Sequence, residues 1–248
     1  MKKIIAVIPA RYESSRFPGK PLAMIAGKTM IERVYERVRE MPEIEEVLVA
    51  TDDERIYDAV SSFGGKAVMT GQCNCGTERV YEAIKNLECN IVINVQGDEP
   101  LIRKEMIRDL LDAMKDENVL MATLRKRIVS REEIQNPNVV KVIVDRNEDA
   151  LYFSRCPIPY NRDGIEGVSY FKHIGLYGYK KTFLCDYVKM DKSTLERCEN
   201  LEQLRVLENG FPIRVKETVY ESMGVDLPEH INQVERMLQD EMGAVVLF

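Results

Sequence analysis

The strongest constraint on the fold is a regular alternation of strand and helix patterns over the first half of the chain. Short apolar runs rich in β-branched residues predict buried strands, and they read IIAVIPA, EVLVAT, KAVMT, NIVINVQ and VLMATL. Between them, apolar residues recur at helical spacing, in the sets Ile31/Val34/Tyr35/Val38, Ile56/Ala59/Val60/Phe63, Val80/Ala83/Ile84/Leu87 and Ile107/Leu110/Leu111/Met114. Strands that alternate with helices build a mostly parallel sheet with helices packed on it. The sequence therefore predicts an α/β fold.

The pattern changes after about residue 138. Three strand-like segments follow closely, VVKVIVD, ALYFSR and HIGLYGY, and they predict an antiparallel-strand insertion. We then predict a long helix over residues 193–210, a strand at PIRVKETV and an amphipathic helix over 228–242. No Ser/Gly-rich linker separates these parts. We therefore expect a single domain over residues 1–248, with halves of about 1–137 and 138–220.

The charge and hydrophobicity of the chain argue against two classes of partner. A net charge of −6 speaks against a general nucleic-acid binder. No apolar run approaches the length that spans a bilayer. The first apolar run ends at Pro9 and Arg11, so it predicts a strand and not a secretory signal. We expect a cytoplasmic protein with no nucleic-acid or membrane partner.

The six cysteines show no CxxC spacing, and in a cytoplasmic chain we expect them to be reduced. Cys73 and Cys75 form a CNC segment that offers soft ligands to a metal. However, the chain has no second pair of this kind, and its only histidines are His173 and His230. A structural metal site is therefore not favoured.

The loop after the first strand, residues 9–20, carries an unusual group of cations. Ligands of open α/β sheets bind beyond the carboxyl ends of the strands, where this loop lies. Arg11, Arg16 and Lys20 make it positive in an acidic chain, and Gly19 allows a close approach of the backbone. A triphosphate suits such a loop. The alternative is a solvated basic loop.

Two well-known phosphate motifs are excluded. Gly27-Lys28-Thr29 precedes a helix as in a P-loop, but the first glycine of that motif falls on Leu22. No G-x-G-x-x-G follows any predicted strand either. The sequence supports neither a P-loop NTPase nor a Rossmann dehydrogenase.

Two carboxylates follow predicted strands. Asp98 lies in VQGDEP, and Asp226 lies in MGVDLP before the last predicted helix. A carboxylate beside a polyphosphate is repulsive unless a divalent cation lies between them, so the pair suggests Mg²⁺. The alternative for either residue alone is a helix cap or a turn.

Taken together, the motifs resemble the 3-deoxy-manno-octulosonate (Kdo) cytidylyltransferases nearly from end to end. The loop with QGDEP indicates the wider sugar nucleotidyltransferase group, and the later motifs narrow it to this family. In order, the motifs are IPARYESSRFPGKPL, CGTERVYEA, INVQGDEPLI, MATL, NPNVVKV, ALYFSR, PIPY, HIGLYGY, LEQLRVLENG and GVDLPE.

The resemblance implies a Rossmann-like, mostly parallel sheet of the sugar nucleotidyltransferase type, a homodimer, and Mg²⁺-dependent transfer of CMP from CTP to Kdo. It makes residues 1–137 the nucleotide-binding half and 138–220 the part for sugar binding and dimerisation. By resemblance, the nucleotide is bound by Pro9, Ala10, Arg11, Arg16, Lys20, Arg79 and Gln96. Arg11, Arg16, Lys20 and Asp98 are implied in catalysis, Asp98 and Asp226 in metal binding, and Arg155, His173, Tyr177, Glu202 and Gln203 in sugar binding.

Two departures from the family pattern bear on the sugar. Cys75 stands where the family commonly has Ser, and Arg125-Lys126-Arg127 replaces a less basic segment. The basic run is either a site for an additional acidic group or, as we expect, a solvated edge strand. A related acid, such as 8-amino-Kdo, a sialic acid or a phosphonate, is therefore the alternative acceptor. A nucleotide-binding module without catalysis is the alternative of another class.

Overall fold

The computed structural model describes residues 2–14 and 16–245, with side chains described up to residue 240. Contacts within the chain divide it into two units, Met1–Lys104 with Ser222–Phe248, and Glu105–Glu221. Both units combine helices and strands, and the predicted α/β class is confirmed. None of the helices in the described part of the chain is long and apolar enough to cross a membrane.

A parallel sheet organises the first unit, with its strands in the order β6-β1-β4-β5. In β1, Val7 lies between Leu48 of β4 and Asn94 of β6. A small hairpin, β2 and β3, follows a short 3-10 helix at Lys20–Leu22. The strands are β1 Ile4–Ala10, β2 Met24–Ile25, β3 Lys28–Thr29, β4 Glu46–Thr51, β5 Ala67–Met69 and β6 Ile91–Asn94, and the helices are α1 Met30–Arg39, α2 Glu54–Ser62, α3 Gly76–Ile84 and α9 His230–Val245.

The helical spacing read from the sequence defines the buried faces of these helices. Ile31, Val34 and Val38 of α1 are fully buried, as the periodicity predicts. The Thr29 side chain accepts a hydrogen bond from the Glu32 backbone N–H and so caps α1. The Gly27-Lys28-Thr29 segment is therefore a hairpin turn and a helix cap, consistent with the exclusion of a P-loop.

In the second unit, β7 lies between β10, which is antiparallel to it, and β11, which is parallel. β8 pairs with β9 and β10, both antiparallel, as predicted for the segment after residue 138. The strands are β7 Met121–Arg127, β8 Lys141–Val144, β9 Ala150–Ser154, β10 Phe171–Lys180 and β11 Arg214–Glu217, and the helices are α4 Lys104–Ala113, α5 Arg131–Gln135, α6 Lys181–Tyr187, α7 Thr194–Glu199 and α8 Gln203–Glu208.

The single helix predicted over residues 193–210 is wrong. Two short helices, α7 and α8, take its place, because Asn200 adopts the left-handed conformation with φ of 53° and ends α7. Asparagine tolerates this conformation better than most residues do. At the start of α7, Ser193 and Glu196 form a capping box.

The edge-strand interpretation of Arg125-Lys126-Arg127 is also wrong for Arg125, whereas Lys126 and Arg127 lie beyond the stretch of β7 that pairs with β11, and Arg127 is exposed. β7 has partners on both sides, and Arg125 is paired in register with His173 of β10 and Glu217 of β11. The Arg125 guanidinium lies 3.5 Å from a Glu217 carboxylate oxygen and stacks 4.4 Å from the Phe171 ring centroid. Lys126 binds Glu221 at 2.7 Å. The charges of these two residues are therefore balanced by acidic neighbours within the second unit.

Candidate active site

The loop after β1, residues 11–20 and here named the β1 loop, closes on itself. The Gly19 backbone N–H donates to the Tyr12 carbonyl at 2.9 Å, and Gly19 has a φ of +72°, which favours glycine. Phe17 packs against an apolar cluster that includes Ile25 and Leu238. The loop is thereby anchored in the core of the first unit, and Lys20 begins the 3-10 helix that follows.

The three sequence-predicted charges Lys20, Asp98 and Asp226 lie together. Lys20 Nζ is 2.5 Å from Asp98 Oδ2 and 3.8 Å from Asp226 Oδ1. Arg16 Nη2 donates to Asp226 Oδ1 at 2.8 Å. Two cations of the β1 loop are thus paired with the two carboxylates that were predicted to bind metal.

Backbone contacts fix the positions of both carboxylates. The Val225 N–H donates to the Asp98 carbonyl at 2.8 Å, which ties the segment before α9 to the loop after β6. The Asp226 N–H donates to His230 Nδ1 at 3.2 Å. Gly97 is a close-approach position, because a Cβ there would lie 3.0 Å from the Pro9 carbonyl oxygen. Asp98 therefore follows a position, residue 97, that only glycine can occupy without a shift of the backbone.

Glu99 adds an unusual carboxyl next to Asp98. Burial, together with the neighbouring Asp98 charge, raises the pKa of Glu99 to about 7. A partly protonated Glu99 limits the negative charge at this point of the loop.

The donor chemistry of this group suits Mg²⁺. Asp98 and Asp226 offer hard carboxylate oxygens, which Mg²⁺ prefers, and one or two carboxylates with substrate phosphates form its usual protein sites. Over residues 2–14 and 16–245, no group of three or more His, Cys, Asp or Glu side chains is placed to hold a metal ion. Two carboxylates leave the remaining ligand positions of a Mg²⁺ ion to water or to a bound phosphate.

Arg79 joins the loop after β4 to the loop after β5. Its guanidinium donates to Asp52 Oδ2 and to Thr70 Oγ1, both at 2.6 Å, and the residue is 5% exposed. Arg79 therefore fixes the loops after β4 and β5 relative to each other. The other residues assigned to the nucleotide lie at the end of β1 and in the loops after β1 and β6, namely Pro9, Ala10, Arg11 and Gln96.

In the second unit, Arg155 is held by main-chain oxygens. Its Nε donates to the Glu199 carbonyl at 2.7 Å and its Nη1 to the Pro137 carbonyl at 3.0 Å. The Glu199 carboxylate accepts hydrogen bonds from the Ser154 hydroxyl and from the Arg155 N–H. The buried Lys141 ammonium donates to the Arg155 carbonyl at 2.5 Å, and burial lowers the pKa of Lys141. Arg155 is thus rigidly placed, with N–H groups of both terminal nitrogens remaining for a ligand.

His173 is a neutral, partly buried imidazole. Burial lowers its pKa to about 3. The Thr123 hydroxyl donates its single proton to a main-chain carbonyl, that of Leu176 at 2.9 Å or of Ile174 at 3.0 Å, while His173 Nε2 lies 3.0 Å from the same oxygen. Nε2 therefore carries the imidazole proton and donates it to Thr123, which leaves Nδ1 as an acceptor.

The remaining sugar-site candidates lie near His173 or at the start of α8. The Tyr177 ring centroid is 5.4 Å from that of His173, and burial raises the pKa of Tyr177 well above its ordinary value. Glu202 lies close enough to Tyr177 to add to that shift. Gln203 is 3% exposed, and its amide nitrogen has no hydrogen-bond partner among the described residues. A buried amide of this kind is a ready donor to a ligand.

Several residues that shape these groups had no signal in the sequence. Lys141 and Glu199 place Arg155, Thr123 fixes the His173 tautomer, and Asp52 holds Arg79. Each acts through a hydrogen bond to a residue distant in the chain, and such pairings leave no periodic pattern. Glu99 lies inside the QGDEP motif, but its pKa depends on burial that the sequence does not show.

The chain was compared with known proteins. The model of the cytidylyltransferase family matches residues 5–219. The 3-deoxy-manno-octulosonate cytidylyltransferase of Thermodesulfovibrio yellowstonii is 52% identical over 248 residues, covering 94% of this chain and 97% of the relative. The protein of the same name from Fusobacterium nucleatum is 50% identical, covering 96% of this chain and 98% of the relative.

Two solved structures are informative. A CMP:2-keto-3-deoxy-manno-octonic acid synthetase complexed with CTP superposes with a TM-score of 0.92 at 46% identity, covering 96% of this chain and 99% of that structure. The 4-diphosphocytidyl-2C-methyl-D-erythritol synthase of Anaerococcus prevotii gives a TM-score of 0.63 at 16% identity, covering 96% and 99%. The second likeness concerns the fold alone.

Proposed function

This chain belongs to the 3-deoxy-manno-octulosonate cytidylyltransferase family, and from that premise we propose how its residues transfer CMP from CTP to the anomeric hydroxyl of Kdo. The reaction forms a bond between the sugar oxygen and the α-phosphorus of CTP, and it breaks the bond from that phosphorus to the leaving pyrophosphate. The products are CMP-Kdo and pyrophosphate. Such a transfer depends mainly on alignment and on stabilisation of the phosphoryl charge.

Arg16 and Lys20, with Arg11, bind the triphosphate. They lie on the loop that follows β1, and Lys20 is only 16% exposed, so its charge acts where solvent screening is reduced. On arrival of the nucleotide, Lys20 and Arg16 exchange their carboxylate partners for phosphate oxygens. Arg79 acts at a distance, since it holds the loops after β4 and β5 by its bonds to Asp52 and Thr70.

Asp98 and Asp226 would hold Mg²⁺ when Lys20 and Arg16 are paired with the phosphates. A bound Mg²⁺ supplies charge neutralisation at the phosphates and favours the ionised form of the attacking hydroxyl. The carboxylates are placed for this by the hydrogen bond between the Val225 N–H and the Asp98 carbonyl. Near-isosteric changes at either residue therefore remove a ligand and leave the backbone contact intact.

The acidic sugar is assigned to residues of the second unit. Arg155 offers a fixed, planar cation for the carboxylate. The neutral His173, the buried amide of Gln203 and the carboxylate of Glu202 offer hydrogen bonds for hydroxyl groups. Tyr177 packs beside His173 and limits the movement of its ring.

The single observation that carries this proposal is the meeting of Lys20 with Asp98 and Asp226 in a chain of this family. The test is pyrophosphate release from CTP with Kdo, with and without Mg²⁺, beside parallel reactions with 8-amino-Kdo and a sialic acid. Release that needs CTP, Kdo and Mg²⁺ together is expected. Faster release with another acid would reassign the acceptor, and CTP binding without turnover for any acid would indicate a module without catalysis.

We also propose that the enzyme is a homodimer that works in the cytoplasm, where CTP is made. Large apolar side chains of the second unit are exposed, notably Leu151 at 59% and Tyr160 at 84%. They belong to the ALYFSRCPIPY segment, residues 150–160, which lies in the part of the chain that the resemblance assigns to dimerisation. The HIGLYGY segment is different, since Leu176 and Tyr179 are buried within the chain itself. Light scattering after size-exclusion chromatography tests the dimer, and Leu151→Lys with Tyr160→Lys should weaken it.

A further inference from the structure

Arg55, near the start of α2, makes contacts that the reaction scheme above does not use. Its guanidinium carbon lies 3.2 Å from the centroid of the Tyr12 ring, which is a close cation–π contact. Its Nε and Nη2 donate to the two oxygens of Asp53, at 2.9 and 2.6 Å. Asp53 in turn caps α2 by accepting from the Arg55 backbone N–H. The guanidinium plane is therefore fixed by a helix terminus.

Tyr12 also contacts Gly19, at the other end of the β1 loop. A Cβ on Gly19 would lie 3.2 Å from the Tyr12 ring, so the ring rests against the Gly19 backbone. The Tyr12 carbonyl also accepts the hydrogen bond from Gly19 that closes the loop. The ring thus contacts both Arg55 and Gly19, and Gly19 is the residue directly before Lys20 in the chain.

We propose that Arg55 is a positioning residue for the nucleotide triphosphate. By stacking on Tyr12, it holds the β1 loop in the closed form that presents Arg16 and Lys20. This role rests on the proposed binding of CTP at the β1 loop. The role assigned to Arg55 is exerted through Tyr12 and requires no contact between Arg55 and the phosphates.

A double-mutant cycle on CTP binding tests this role. In Arg55→Ala, the Kd and the KM for CTP should rise about three- to tenfold, because the cation–π contact that holds the β1 loop is lost. Since only the loop is affected, kcat at saturating CTP should change less than about twofold, and the KM for Kdo should not change. Tyr12→Leu should show a similar loss, and the double variant should lose no more than the larger single effect.

Two further variants separate stacking from charge. Arg39→Ala removes an exposed arginine at the end of α1 in the same unit, and it should leave CTP binding unchanged. Arg55→Lys keeps the charge without the planar fork, so it should rescue binding only in part. Thermal unfolding of each variant reports whether the fold is intact.

Additive losses in the double variant, full rescue by Arg55→Lys, or wild-type CTP binding in Arg55→Ala would each overturn the proposal. These results are distinct from failure of the proposed function. In that case the wild-type protein itself would neither bind CTP nor release pyrophosphate with Kdo.

Discussion

The Lys20 ammonium lies 2.5 Å from Asp98 Oδ2, so a cation assigned to the triphosphate neutralises a carboxylate assigned to the metal. Arg16 and Asp226 repeat the arrangement at 2.8 Å. In the free protein, a divalent cation must therefore compete with the protein's own cations. Metal and nucleotide should bind with positive coupling, because the phosphates draw Lys20 and Arg16 away from the carboxylates.

Replacing Lys20 should separate its part in binding the nucleotide from its competition with the metal. In Lys20→Met, CTP should bind more weakly, whereas Mn²⁺ should bind the nucleotide-free protein about tenfold more tightly, which corresponds to ~1.4 kcal/mol. Electron paramagnetic resonance of Mn²⁺ measures the second effect without turnover. Lys28→Met is the matched control, since Lys28 pairs with Glu36 in the same unit. Weaker Mn²⁺ binding in Lys20→Met would show that Lys20 does not compete with the metal.

Near-isosteric changes at the carboxylates should abolish turnover and preserve the fold. In Asp98→Asn or Asp226→Asn, pyrophosphate release should fall by at least ~10²-fold, because a charged metal ligand is replaced by a neutral one. Circular dichroism should show a native spectrum for both. Near-wild-type rates in both variants at ordinary Mg²⁺ would remove these residues from the metal site.

The partly buried His173 should make the protein sensitive to acid. Its pKa is about 3 when folded, against 6.5 when exposed, so the unfolded chain binds the proton more readily below neutrality. The stability that the folded protein gains by keeping His173 neutral is fully present above pH 6.5 and is lost as the pH falls. When the pH is lowered from 7.5 to 5, protonation of His173 in the unfolded chain should lower the free energy of unfolding by about 2 kcal/mol.

His173→Gln isolates that contribution, because the Gln amide can still donate to Thr123 and does not titrate. Urea unfolding at pH 7.5 and pH 5 should show a smaller loss of stability in the variant. An equal loss in both proteins would indicate that His173 is not the group responsible.

The buried pair of Arg205 and Glu196 should be costly to break. Arg205 donates through Nε and Nη2 to both Glu196 oxygens, at 2.8 and 2.7 Å, and the two side chains are 2% and 5% exposed. Arg205→Met alone should lower the free energy of unfolding by about 3–5 kcal/mol, because an unpaired carboxylate remains buried. The double variant Arg205→Met/Glu196→Leu should recover part of this loss in urea unfolding.

An exposed ion pair supplies the control. Lys115 binds Asp112 at 2.5 Å on the surface after α4, and Lys115→Met should change stability by less than ~1 kcal/mol. Comparable losses for Lys115→Met and Arg205→Met would contradict the role assigned to burial.

Local patterns in the sequence predict the parallel strands and the helices between them, because burial of one helix face imposes a period that can be read directly. The rule that ligands bind at the carboxyl ends of strands also points to Lys20 and Asp98. Long-range pairing has no such pattern. Arg16 and Asp226 are separated by 210 residues in the chain, and their contact follows only from the tertiary fold.

Other features of the fold cannot be predicted from the local sequence, because they depend on the backbone conformation of one residue or on the position of neighbouring strands. The two helices of residues 194–208 look like one helix in the sequence, since a left-handed Asn200 is not evident from its neighbours. The basic run at Arg125 resembles an edge strand in the sequence, because the sequence does not show that β10 and β11 pair with β7 on either side of Arg125. The stacking of Arg55 on Tyr12 joins the start of α2 to the β1 loop, and only the folded sheet determines that the two approach each other.

The helix break at Asn200 also affects the position of Arg155, which lies outside the two helices that Asn200 separates. In an uninterrupted helix, the carbonyl oxygens of residues 199 and 200 would accept hydrogen bonds from the following turn. Here they receive Arg155 Nε at 2.7 Å and Nη2 at 3.5 Å. The carbonyl groups at the end of α7 thus bind the Arg155 side chain. Position 200 is therefore restricted to residues that accept a positive φ, whichever acid the enzyme uses.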